Sequence, residues 1–278
     1  MFNLITSEED LILLGKELSC RKNIAIDTEF RRTTKDNMKL SLVQINDSEE
    51  IYIIDCIALE SNEEISKIFE DKNINKIIHS CREDIEALYS WTHKNIHNIF
   101  DTQIANAFLG NELSISYQGL VKNNFGVTIK KEETMSNWIK RPLRSSQLNY
   151  AAMDVEYLLD IFEEQVLDLS KQGKKDWLFE ETSLMAKNAL NKISQIPEEE
   201  YLIPISSAQQ NIILKKMDNI IEINAVNYGI NKSFLFSKKN QKDYLRDSFI
   251  FGAEEAMDLR GAWRKHLLYE DLKHLFIQ

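Results

Sequence analysis

Two carboxylates, Asp27 and Glu29, interrupt the apolar run N23-I-A-I-D-T-E-F30. A run of that kind reads as a strand, in which residues two apart project to the same face. Asp27 and Glu29 therefore stand side by side, roughly 7 Å apart at their alpha carbons, with Thr28 turned to the opposite face. Carboxylates on a buried element are costly unless positive charge meets them. Two further acids occupy comparable positions. Asp84 follows the strand-like K76-I-I-H79, and Asp154 lies four residues after Tyr150 in Y150-A-A-M-D154, so that both stack on one side of a helix. Only Arg31, at the end of the first strand, is spaced to offset any of these acids locally. The economical answer is a pair of divalent cations, and an all-oxygen donor set suits Mg²⁺ or Mn²⁺. The chemistry such a pair does best is hydrolysis of a phosphodiester.

The chain is large enough to bury such a site. Its 278 residues, 43% hydrophobic and 28% charged, have a soluble globular profile and suggest one long domain plus a smaller one. No apolar run approaches the roughly 18 residues that a membrane helix needs, so no membrane partner is expected. The opening MFNLITSEEDLILLGKEL mixes acids with apolar residues and reads as a first element, not a secretory signal. Cys20, Cys56 and Cys81 form no C-x-x-C and suit reduced core thiols in a cytoplasmic protein. The net charge of −10 is uneven. Residues 1–120 hold 21 acids against 12 bases, whereas residues 205–278 hold 9 against 11. The acidic excess thus coincides with most of the proposed ligands, and bound metal would neutralise part of it.

A helix is expected from Ser7, with Glu8, Glu9 and Asp10 in its first turn. Strands are expected at 23–30, 39–45 and 51–55, joined by the hairpin-like spacers T33-T-K-D-N-M38 and N46-D-S-E-E50. There follow a helix at 62–70, a strand at 76–79, a helix opening at Ser80 with capping-box spacing to Glu83, a strand at 96–100 and a helix after Asp101. This order predicts an α/β fold: a mixed five-stranded sheet with helices on its faces. One long helix is expected over 145–173, with Leu148, Ala151, Ala152, Val155, Leu158, Leu159 and Phe162 as its apolar stripe. Residues 197–204 hold two of the chain's three prolines and mark a domain boundary. The predicted units are residues 1–200 and a small all-helical module at 205–278.

Within the site, Asp27 is expected to bridge two metals roughly 3.5–4 Å apart, with Glu29 and Asp154 on one and Asp84 near the other. Tyr150, with a reference pKa of about 10, cannot serve as an ionised base near neutrality. Its hydroxyl is expected to aim the attacking water at phosphorus. Each motif alone has an ordinary reading: D-x-E strands are common, helix tyrosines usually pack, and helix-start acids usually meet only the macrodipole. His79 reads first as a satisfied strand-end histidine, with substrate contact kept as a candidate role. His93 and His97 lie in a polar stretch without an H-E-x-x-H pattern.

These residues carry a family resemblance. A25-I-D-T-E-F30, I78-H-S-C-R-E-D84, F100-D-T-Q-I-A-N-A-F-L-G110, S116-Y-Q-G-L120 and W138-I-K-R-P-L-R-S-S-Q-L-N-Y-A-A-M-D-V-E-Y-L158 resemble the ribonuclease D family, in the tyrosine-bearing branch of the DEDD 3′–5′ exonucleases. The resemblance covers roughly residues 3–200 and implies an RNase H-like nuclease domain. It implies that Asp27, Glu29, Asp84 and Asp154 are the metal ligands and that Tyr150 is the water-positioning tyrosine. D258-L-R-G-A-W-R-K-H-L-L268 and L214-K-K-M-D-N-I-I-E-I223 more faintly resemble the helical HRDC-type nucleic-acid-binding module. There is room for one such module where family members often carry two.

Phosphate contacts position a single strand and stacking holds it without reading sequence. Candidate phosphate contacts are Arg31, Arg32, Lys140, Arg141 and Arg144. Phe30 has two readings, a terminal-base wedge and plain core. Lys215, Lys216, Lys238, Lys239, Arg260, Arg264 and Lys265 form a candidate RNA-docking face, with Trp263 as core. The resemblance implies stepwise release of nucleoside 5′-monophosphates from single-stranded 3′ ends, with precursor tRNA and other small structured RNAs as substrates. The same chemistry on DNA, or a non-catalytic nucleic-acid-binding scaffold, are the alternatives; no protein partner is predicted.

Overall fold

The computed structural model of the protein describes residues 1–34, 37–130, 133–190 and 204–276. Its centre is a six-stranded sheet in the order β1-β4-β3-β2-β5-β6. The strands are β1 (Asn3–Ile5), β2 (Asn23–Thr34), β3 (Asn37–Asn46), β4 (Ile51–Asp55), β5 (Asn75–Ile78) and β6 (Ile99–Asp101). β2, β3 and β4 form the expected antiparallel meander, and β5 and β6 add parallel strands beyond β2. The sheet has six strands where five were expected. β1, parallel to β4, is only three residues long, too short for an alternation signal to register.

Strand alternation sorts the two faces. Ile24, Ile26, Val43, Ile45 and Ile54 point to one side, where α1 (Glu8–Leu18), α2 (Glu63–Glu70) and α3 (Arg82–Thr92) cover them. Ser7 caps α1 by accepting from the Asp10 N–H, as expected. α3 does not begin at Ser80. That residue takes a left-handed φ of 60°, and Cys81 stands at the cap. Both their N–H groups donate to the buried Asp101 carboxylate, at 3.1 and 2.8 Å.

On the other face lie α4 (Thr102–Phe108), α5 (Tyr117–Phe125), α6 (Ser145–Glu156) and α7 (Leu158–Lys171). The single helix expected over 145–173 is two helices, interrupted at Tyr157. Period alone could not reveal the break, because the apolar stripe runs through it.

α8 (Lys175–Leu190) packs against β6 and α3. Beyond it stand α9 (Ser207–Tyr228), α10 (Lys232–Leu235), α11 (Lys238–Phe251), α12 (Ala253–Asp258) and α13 (Ala262–Leu272), an all-helical assembly. It does not sit apart: Trp263 stacks on Trp177 and meets Phe108 at 4.9 Å between ring centroids. The expected boundary at 197–204 lies, except for Pro204, outside the described residues. Among the described residues no helix is long and apolar enough to cross a membrane.

Candidate active site

The geometry begins with the register of β2 on β3. Asp27 lies opposite Gln44 and Glu29 opposite Leu42, so both acids share a face with Leu42 and, one strand on, Ile53. α6 is laid over that face, burying Ala151 and Ala152 against Leu42, Ile53 and Trp138. This packing lowers Asp154 onto the strand pair. Carboxylate oxygens of Asp27, Glu29 and Asp154 all lie within 4.8 Å of one another.

Asp84 arrives by a different route. β5 pairs only with Asn23–Ala25, leaving the following part of β2 without a partner on that side. The start of α3 approaches there, and Asp84 accepts from Thr28 Oγ1 at 2.5 Å in a buried hydrogen bond. Sequence reasoning turned Thr28 away from the acids and gave it no role. The alternation was right, but the face opposite Asp27 is the one from which Asp84 comes. Asp84 lies outside the three-acid cluster.

Among the described residues none of the four carboxylates makes an ion pair, and the electrostatics follow. Burial pushes Asp27 well above the usual carboxylate range, and the charges of Asp84, Asp154 and Glu29 push it further. Burial, then Asp154 and Asp84, raise Glu29 to about 9. Asp84 is raised by burial to about 7, opposed by the Thr28 hydroxyl, and Asp154 is raised by burial to about 7, opposed by Tyr150. Burial and the neighbouring Asp154 charge raise the Tyr150 phenol, so it keeps its proton throughout the neutral range. Its oxygen lies 3.3 Å from Thr134 Oγ1. Three convergent hard oxygens with no ion-pair partner among the described residues fit a divalent ion.

The other expected contacts divide. Arg31 and Lys140 are exposed and make no ion pair among the described residues. Arg32 pairs with Glu86 at 2.7 Å and reaches Glu83 at 3.5 Å. Arg141 is engaged as a structural clamp: it grips Asp55 through two bonds of 2.6 and 2.7 Å and donates to the Trp138 carbonyl and the Ser41 hydroxyl. Arg144 pairs with Glu133 at 2.5 Å. Both arginines stabilise the approach to α6, a use that a basic stretch in sequence does not distinguish from a phosphate contact. His79 is satisfied by Thr102 Oγ1 at 2.9 Å and the Ile115 carbonyl at 3.0 Å. Phe30, just past a β-bulge, is half-buried against the α1–α3 side. Of the cysteines, Cys56 and Cys81 are buried thiols, whereas Cys20 is exposed and not core.

The candidate docking face of the tail is largely paired within the chain. Arg264 meets Glu181 at 2.5 and 2.9 Å, Arg260 meets Asp247, Lys238 meets Asp218, and Lys265 meets Glu254 and Asp258. Trp263 is core, as expected. Lys215, Lys216 and Lys239 make no ion pair among the described residues.

The class is thus a mixed sheet whose central strand carries two acids facing an acid and a tyrosine on α6. The chain belongs to the 3′–5′ exonuclease family, whose shared pattern covers residues 2–169. It is 33% identical over 190 residues to ribonuclease D of Shewanella sp. (strain ANA-3), covering 68% of this chain and 49% of that protein. With ribonuclease D of Escherichia coli (strain K12) it shares 32% over 184 residues, 66% of this chain and 49% of the other. The chain spans about half the length of the curated relatives it matches. Its fold resembles the crystal structure of Escherichia coli RNase D, an exoribonuclease involved in structured RNA processing. That likeness has a TM-score of 0.67 and 25% identity, covering 99% of this chain and 74% of the other.

Proposed function

We propose that the protein is a metal-dependent 3′–5′ exoribonuclease that releases nucleoside 5′-monophosphates. The observation that carries this reading is the convergence of Asp27, Glu29 and Asp154 within 4.8 Å, with no ion pair to any of them among the described residues. Asp27, Glu29 and Asp154 would hold one divalent ion, Mg²⁺ or Mn²⁺, and Asp27 with Asp84 a second. When bound, such ions supply Lewis-acid polarisation of the phosphate, an acidified water and charge stabilisation for the departing 3′ oxygen.

The chain's own groups do the positioning. The Tyr150 hydroxyl, protonated and fixed on α6 one turn before Asp154, orients the water toward phosphorus. Thr28 holds Asp84 in place. Arg31 and Lys140, exposed and without ion pairs among the described residues, would meet a phosphate backbone. The ribonuclease D resemblance supports RNA, with precursor tRNA and small structured RNAs as substrates. Residues 205–278 would act as one HRDC-type module, with Lys215, Lys216 and Lys239 as its outward cations. A cytoplasmic location suits three unpaired cysteines.

Digestion of matched RNA and DNA oligomers with Mg²⁺ or Mn²⁺ tests the reading. RNA should shorten from its 3′ end to 5′-monophosphates, and Asp27→Ala or Asp154→Ala should lose at least about 10³-fold in turnover while staying folded. Tyr150→Phe should lose turnover but still bind Mn²⁺. Preference for DNA would reassign the substrate, and no cleavage of either with either metal would leave only a scaffold.

A further inference from the structure

The interruption between α6 and α7 has an identifiable cause. In an unbroken helix the Tyr157 N–H would donate to the Met153 carbonyl. Instead the Tyr117 hydroxyl is inserted between them: it accepts from Tyr157 N at 3.1 Å and donates to Met153 O at 3.0 Å. A side chain entering the ladder in this way is one of the few established causes of a sharp helix break. From the sheet, Asn46 Nδ2 donates to two of the three carbonyls between, Val155 at 3.1 Å and Glu156 at 3.3 Å. Asn46 shares its face of the sheet with Gln44, the residue paired to Asp27.

Four backbone groups around one residue are thus held by side chains from elsewhere. That residue is Asp154, whose own neighbours, Met153 and Val155, are two of the four anchor points. Tyr117 is itself fixed: it is buried at the start of α5, and its ring stands 6.0 Å from that of His79, which also binds the Ile115 carbonyl. His79, which the proposed chemistry does not use, thereby orders the segment that carries the inserted hydroxyl.

We infer that Tyr117, assisted by Asn46, is a positioning residue for the metal site, ending α6 where Asp154 must turn toward Asp27 and Glu29. The inference rests on the metal-binding reading given above. Without the hydroxyl, Met153 O and Tyr157 N are free to close the ladder directly, and the ligand on the intervening turn shifts from its strand-borne partners.

Direct titration of the folded protein with Mn²⁺, followed by calorimetry and by Mn²⁺ electron paramagnetic resonance, tests this without relying on cleavage. Tyr117→Phe, which removes one oxygen, should weaken Mn²⁺ binding about tenfold, the low end for loss of a ligand-orienting partner. Asn46→Ala should weaken it in the same direction and serves if Tyr117→Phe does not fold. Tyr244→Phe is the control. That hydroxyl bonds the Ala253 carbonyl at 3.2 Å in the helical assembly, so its loss should lower the melting temperature comparably but leave Mn²⁺ affinity unchanged. Equal Mn²⁺ affinity in wild type and the folded variants would overturn the inference while leaving the metal site standing. Failure of the wild type itself to bind Mn²⁺ would remove the metal site, and the inference with it.

Discussion

Asp27 is held in an inhospitable position: strand-borne, deeply desolvated and facing three other acids. In the metal-free protein the four carboxylates retain protons that the unfolded chain would release near pH ~4. Asp84 and Asp154 release theirs only near 7 and Glu29 near 9. The folded state therefore binds more protons than the unfolded state across that window, and stability without metal must fall as pH rises through it. Added divalent metal should reverse the loss. At saturating Mn²⁺ we expect the melting temperature to rise by about 5 °C at pH 8 and hardly at all at pH 5. A pH-independent rise would place the bound ion elsewhere.

Elements near the site are joined by polar groups whose partners are distant in sequence. Asp101 is the clearest case. Its Oδ1 accepts from the N–H groups of Gln103, Ile104 and Ser80, and its Oδ2 from Cys81, so one carboxylate caps α4 and anchors the start of α3. Replacing it with Ala should cost about 3 kcal/mol in urea unfolding. Asn, which keeps the Oδ1 acceptor, should cost about 1 kcal/mol. Equal losses would mean that packing, not acceptance, is what Asp101 supplies. Such long-range partners mark where the sequence stopped being legible. The D-x-E strand, the Y-x-x-x-D helix and the meander follow from periodicity and short turns, and all appear. The α3 start, the α6–α7 break and the duties of Arg141 and Arg144 depend on Asp101, Tyr117, Asp55 and Glu133. No local pattern connects those residues to the elements they shape. The three-residue β1 escaped for the opposite reason, being too local to have a period.

Across the whole molecule the sheet-bearing part and the helical assembly share one core through Phe108, Trp177, Phe234 and Trp263. Glu180 accepts from the N–H groups of Ala262 and Trp263 at the start of α13, while Glu181 holds Arg264. Lys174 places its ammonium between the carbonyls of Phe108 and Gly229, one from each part. Heating should therefore give one transition, with tryptophan fluorescence and far-ultraviolet dichroism coinciding. Arg264→Ala, which strands the Glu181 carboxylate, should destabilise by about 3 kcal/mol or more. Two separated transitions in the wild type would contradict a shared core. At the seam Gly110, with φ +84°, has no room for even a methyl group, since a Cβ there would lie 2.9 Å from the Gly229 carbonyl oxygen. An approach that tight keeps the backbones from closing any nearer at this point. Gly110 therefore cannot gain a side chain without parting the two halves of the seam, as two fitted boards part for a shim.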